Sequence, residues 1–166
     1  MAQFDIPQEV EAVFHEFRTT EFTTIARDGT PITWPITAVY RPVPGEFLAA
    51  TSIGLPQKAF NLRRNPRAAL FFSEPRGSGL SNPPAVLVQG DANVAEKITT
   101  LEGIEDLWAK IFRFQPAAKQ TSSGPLMHYL MDWYYMRIPL VISPRRIMWW
   151  PNGDFSHKPL ELSHVG

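Results

Sequence analysis

The residues with chemistry to offer gather between Ala50 and Phe72, in "ATSIGLPQKAFNLRRNPRAALFF". The hydroxyls of Thr51 and Ser52 close one apolar run, and Lys58, Arg63 and Arg64 follow before the next. Gln57 to Arg64 reads as a short helix between two strands. Asn65-Pro66 stops it, because a residue before proline avoids the helical region. Lys58 then falls in the first turn, where the helix dipole disfavours a cation unless an anion is held nearby. Free N–H groups at a helix start, an adjacent lysine and strand-end hydroxyls together suit a phosphate. A plainer reading of Lys58 is a solvated surface lysine. Arg63 and Arg64 stand at the other end of the helix, where solvated cations complement the dipole.

Other reactive side chains show no comparable pattern. His15, His128, His157 and His164 lack metal-ligand spacing, so no metal site is expected. Ser78, Ser81, Ser122 and Ser123 lie in Gly- and Pro-containing loops without a nucleophile elbow. The Gly77–Gly79 triplet lacks the lysine and hydroxyl of a phosphate loop. Trp108, Trp133, Trp149 and Trp150 read as core or interface anchors. Tyr134 and Tyr135 read as packing residues, with proton donation as the other option. No acid–base constellation stands out, so no catalytic residue is assigned.

The chain of 166 residues suits one domain spanning 1–166. Its 16 basic and 16 acidic residues leave no global field to steer it to nucleic acid or an anionic membrane. An anion site must therefore be local. Without cysteine, disulfides, thiolate nucleophiles and cysteine-ligated zinc are excluded. No apolar run approaches the ~20 residues of a membrane helix, and Met1 to Val10 does not read as a signal peptide. A cytoplasmic location is expected.

The elements that must position the basic corner follow from periodicity. Asp5-Ile6-Pro7 reads as a helix start with Asp5 as cap, and Val10, Val13, Phe14 and Phe17 fall on one face. Arg27-Asp28-Gly29 joins two β-rich runs as a hairpin, whose second strand is an edge because Pro31 and Pro35 cannot donate to a ladder. Glu46–Ser52, Ala68–Ser73 and Ala85–Val94 read as strands, with a bulge at Gly90. Ala95–Phe114 reads as a helix, Gln115–Pro125 as a loop and Met127–Tyr135 as helical. "MRIPLVIS" and "RRIMWW" read as a hairpin around Ser143-Pro144. Short hairpin-linked strands suggest a small barrel.

"FTTIARDGTPITWPI", "FLAATS", "KAFNLRRNPRAALFF" and "VLVQGDA" follow one another in this order. Together they resemble the split-barrel flavoproteins related to pyridoxamine 5′-phosphate oxidase. "MRIPLVISPRRIMWW" is similar to the closing hairpin of that group. The matching blocks run from about Phe22 to Ala92 and from Met136 to Trp150. The resemblance implies a mainly β fold with flanking helices, a six-stranded antiparallel split β-barrel. It also implies a homodimer holding FMN at the subunit interface, and oxidoreductase chemistry on a small molecule. Carried over by position, Lys58 would contact the cofactor phosphate, helped by Thr51 and Ser52. The strand from Thr33 to Thr37 would lie along the ring, with Trp34 and Ile36 as its apolar slab. Gln89, and Arg137 or Arg145 from the partner chain, are further candidates, and Arg63 and Arg64 would meet any extra charge on a cofactor tail.

Gln57 stands where the true oxidase has an arginine, and Pro84-Ala85 where it has an Arg-Gln pair. Its Arg-x-His sequence is missing from "NGDFSHKPLELSHVG". The resemblance therefore points to small reductases of the wider group, which use FMN or the deazaflavin coenzyme F-420. A non-enzymatic flavin or tetrapyrrole binder on the same barrel is the rival.

Overall fold

The computed structural model describes residues 5–114 and 135–163. The expected Gln115–Pro125 loop lies outside them, as do the Met127–Tyr135 helix apart from its last residue, Ser122, Ser123, His128, Trp133, Tyr134 and His164.

Helix α1 (Gln8–Glu16) buries Val10, Val13 and Phe14, the face expected from their spacing. Pro7 occupies its N-cap position and no side chain caps it, so Asp5 does not play that part. Proline fixes the entry dihedral, and this suffices at a helix start. Strands β1 (Thr20–Ile25) and β2 (Pro31–Ile36) form the expected hairpin. Its turn is closed by the Ala26 N–H on the Thr30 carbonyl at 2.8 Å, with Gly29 at φ +88°. Then come β3 (Val39–Arg41), β4 (Glu46–Ser52), α2 (Gln57–Arg64), β5 (Arg67–Phe72), β6 (Ala85–Val94), α3 (Glu105–Phe114), β7 (Arg137–Trp150) and β8 (Leu160–Ser163).

All the strands belong to one curled antiparallel sheet in the order β2-β1-β5-β6-β7-β4-β3, with β8 added to β7. Among the described residues this makes eight strands rather than six. The short β3 and β8 are the difference, since each pairs only with a longer neighbour. Pro31 and Pro35 do lie on an edge: among the described residues β2 pairs with β1 alone.

Two further readings change. Ser143-Pro144 does not turn the chain, and β7 runs 14 residues without a break. It pairs with β4 through Arg137–Ile142 and with β8 through Arg146–Trp149, while β6 follows it from Leu140 to Trp150. Pro144 sits at the bulge opposite Gly90, where the ladder is already interrupted, so its missing N–H is tolerated. The expected bulge is present at Gln89/Gly90. A Cβ on Gly90 would collide with the Ser143 carbonyl, so only glycine fits.

The helix expected from Ala95 starts instead at Glu105. The backbone before it is spent on β7. Ala95 N–H bonds the Pro139 carbonyl at 3.0 Å, and Thr99 and Arg137 exchange two bonds of 2.9 and 2.7 Å. Gly103 at φ +80° then turns the chain, and Glu105 and Asp106 suit the N-terminal end of a helix dipole.

The main core joins Val13, Phe14 and Phe17 of α1 to Phe22, Phe47, Leu70, Phe72, Val88, Leu140 and Ile142 of the curled sheet. Phe14 packs edge-on against Phe47 at 4.8 Å between centroids, and each such buried ring contributes about 1.5–3 kcal/mol. A second cluster lies under α3, where Ile104, Leu107 and Trp108 cover Leu48 of β4. Polar ties pin the helix. Arg41 grips Asp106 through two bonds of 2.7 and 2.8 Å, and Lys110 donates to the Phe14 and Ala38 carbonyls at 2.7 and 2.8 Å. Burial lowers the pKa of Lys110 to about 8.

Candidate functional site

The chain leaves β4 at Ser52, turns through Leu55 N–H on the Ser52 carbonyl, and enters α2 at Gln57. The sequence dictates where α2 sits. Asn61, fully buried, donates from Nδ2 to the Thr24 hydroxyl of β1 at 3.0 Å, and its Oδ1 accepts from Gln57 and Arg64. Leu62 and Ala59 enter the main core on the same side. This places Lys58 at a cavity of about 170 Å³ walled by four further elements. The walls are Pro35–Thr37 at the end of β2, Ala50–Ser52 at the end of β4, Leu107 and Ile111 of α3, and Arg137 at the start of β7.

Lys58 is only 9 % exposed. Burial lowers its pKa below the ordinary lysine value. Among the described residues its Nζ meets no carboxylate; it stands 4.9 Å from the centroid of the Trp34 ring. Arg137 enters from the other side, in register with Ser52 across β4 and β7. Its guanidinium lies 4.9 Å from the Trp108 centroid and donates to the Met136 carbonyl at 3.1 Å. Trp108 is itself fixed by its indole N–H on the Thr100 carbonyl at 2.7 Å. No described residue lining the cavity is acidic. Two cations therefore converge on one small cavity, beside a helix start that no side chain caps. The arrangement can hold a dianion such as a phosphate monoester.

The structure thus brings Lys58, Thr51, Ser52, Ile36 and Arg137 together, with Trp34 against Lys58. Arg137 belongs to the same chain's cavity, where the resemblance had suggested a contribution from a partner. Thr51 lines the wall but its hydroxyl donates to the Leu55 carbonyl at 2.7 Å, so its hydrogen is not offered to a ligand. The Ser52 oxygen accepts from Gly54 N–H at 3.3 Å and keeps its own hydrogen to give.

Thr33, Gln89 and Arg63 stand apart from this cavity. Thr33 shares a 2.8 Å hydroxyl contact with Thr23 on the opposite face of the sheet. Register continues that row through Ala69 to Gln89. Thr23, Ala69, Gln89 and Arg145 line a second hollow of about 340 Å³. Arg145 is the extra residue of the β6–β7 bulge and pairs with Asp91 at 3.1 Å. Arg63 donates to the Ala95 carbonyl at 3.3 Å, and Arg64 to the Ile25 carbonyl at 2.9 Å. Both arginines therefore tie α2 to its neighbours. Sequence reasoning missed Leu107, Trp108 and Ile111 as site residues. Their helical spacing reads as a core stripe, and only the covering position of α3 turns part of that stripe into a pocket wall. Among the described residues no cluster of metal-ligating side chains occurs, and no helix is long and apolar enough to cross a membrane.

No protein-family model matches the sequence, and no functionally curated protein matches it. Solved structures match the fold. A protein related to general stress protein 26, of the pyridoxinephosphate oxidase family, from Clostridium acetobutylicum has a TM-score of 0.59 and 9% identity, over 93% of this chain and 92% of that one. An F420 reductase has a TM-score of 0.59 and 20% identity, over 86% of this chain and 98% of that one. A heme binding protein from Mycobacterium smegmatis has a TM-score of 0.59 and 16% identity, over 96% of this chain and 60% of that one. The chain has the fold of the pyridoxamine 5′-phosphate oxidase-like split barrels.

Proposed function

We propose that the chain binds FMN through its phosphate in the α2 cavity and acts as a flavin-dependent oxidoreductase on a small molecule. The observation that carries this reading is the convergence of Lys58 and Arg137 on one cavity with no described acid in its lining. Such a site suits a doubly charged phosphate. Lys58 and Arg137 would hold the phosphate, with the Ser52 hydroxyl as a further donor. Ile36 would present an apolar edge to the ring. Bound flavin supplies the hydride or electron chemistry, and the chain's part is to bind, orient and shield it.

A homodimer completes this reading. Thr33, Gln89 and Arg145 face away from the α2 cavity, so a second copy is needed to bring them to a ligand held there. The deazaflavin coenzyme F-420 is the alternative cofactor, favoured by the likeness to an F420 reductase. The likeness to a heme binding protein supports a non-enzymatic tetrapyrrole binder as a further alternative.

The test is an absorption spectrum of the protein purified from a host that makes both cofactors, with mass spectrometry of what heat releases. Bound FMN or F-420 chooses between the two cofactors. A colourless protein that binds neither on titration overturns the reading.

A further inference from the structure

We propose that Trp34 is the positioning residue of the phosphate site: its indole face holds the Lys58 ammonium over the cavity in place of a carboxylate. The inference rests on the phosphate reading above and assigns Trp34 a role other than a slab for the ring.

Several cations of the described structure are held by acids, and the buried Lys110 by two backbone carbonyls. Arg41 pairs with Asp106 at 2.7 Å, Arg113 with Glu16 at 2.6 Å, and Arg145 with Asp91 at 3.1 Å. Lys58 is more buried than any of these, yet its described partner is a ring. An indole face attracts an ammonium through its quadrupole but brings no negative charge. A carboxylate in that place would neutralise Lys58 and repel an incoming phosphate. The ring holds the cation while leaving its charge for the ligand. Across the cavity Arg137 lies over Trp108 at the same 4.9 Å, so both cations have an aromatic face behind them.

The backbone explains how Trp34 reaches Lys58. In register Trp34 stands opposite Phe22, on the sheet face that carries the main core. Edge strand β2 leaves it half-buried at the rim rather than inside. The ring is therefore placed by β2 and the ammonium by α2, beside the cavity that Lys58 lines.

FMN and riboflavin differ by the phosphate, so their affinities separate the two roles of Trp34. Trp34→Leu should weaken FMN about two- to fivefold more than riboflavin, the equivalent of a cation–π contact at a partly exposed site. Trp34→Phe, which keeps a ring face, should restore most of the loss. In a Lys58→Met background the selective effect of Trp34→Leu should vanish. Equal losses for FMN and riboflavin, or a selective loss that persists in the Lys58→Met background, would overturn the inference while leaving the phosphate site standing. If the unaltered protein binds no FMN, the phosphate reading fails and this inference falls with it. Trp34 is half-exposed on an edge strand, so these variants do not open the core.

Discussion

Lys58→Met is predicted to have two effects of opposite sign. The lysine is 9 % exposed, burial disfavours its charged form, and its described contact is the face of Trp34. Methionine keeps the unbranched stem and a soft atom against that ring, so packing is retained. Removing the charge deletes one charge-assisted hydrogen bond to a bound phosphate, worth about 1.5–3 kcal/mol. The FMN dissociation constant should rise by about tenfold to over a hundredfold. In the ligand-free protein the change has the other direction. A lysine with a lowered folded-state pKa costs stability at neutral pH, where both states are protonated, and the cost fades as pH rises from that pKa to the ordinary lysine value. Ligand-free Lys58→Met should therefore unfold at a higher temperature than the unaltered protein at pH 7. FMN titration by fluorescence and calorimetric melting of the ligand-free protein read the two effects separately. An unchanged FMN affinity would remove Lys58 from the site. A clearly lower melting temperature would mean that the buried charge is compensated by more than a ring face.

Gly90→Ala should destabilise by about 1–3 kcal/mol, because the new methyl meets the Ser143 carbonyl across the bulge. A urea midpoint that does not fall would show that β7 yields there. Lys110 links stability to alkaline pH. Its folded pKa of about 8 lies below the ordinary 10.5, so between these values the unfolded chain holds more protons and stability rises with pH. Relative to Lys110→Met, the unaltered protein should gain up to about 3 kcal/mol from pH 8 to 10.5 in denaturant titrations. A flat difference would refute the shift.

Much of this fold is legible wherever one residue type settles a local choice. Asp28-Gly29 places the first hairpin, Asn65-Pro66 ends α2, and Gly90 marks the bulge, because in each case the backbone has few alternatives. Ala95–Gly103 misleads because its apolar spacing suits a helix while its hydrogen bonds go to a strand distant in sequence. Ser143-Pro144 misleads for a related reason: a proline that would end most strands is tolerated at a bulge set by another strand's glycine. The site divides in the same way. Lys58 is visible because a cation in a first helical turn is locally odd. Arg137 is reached only through the family resemblance, and Trp108 becomes legible only when α3 is in place beside that turn.

The sheet gives the two sides of the cavity unequal stiffness. Arg137 belongs to β7, which beside the site is held by β4 on one side and by the Thr99 backbone on the other, and from Leu140 onward by β6. Trp34 and Ile36 belong to β2, which among the described residues has one strand neighbour and forms an edge. Amide protons on β7 should thus exchange with solvent far more slowly than those on β2. The anchor for charge behaves as the fixed jaw of a vice and the aromatic rim as the moving one. Ligands that share a phosphate but differ in the ring beyond it would be accommodated by β2 alone.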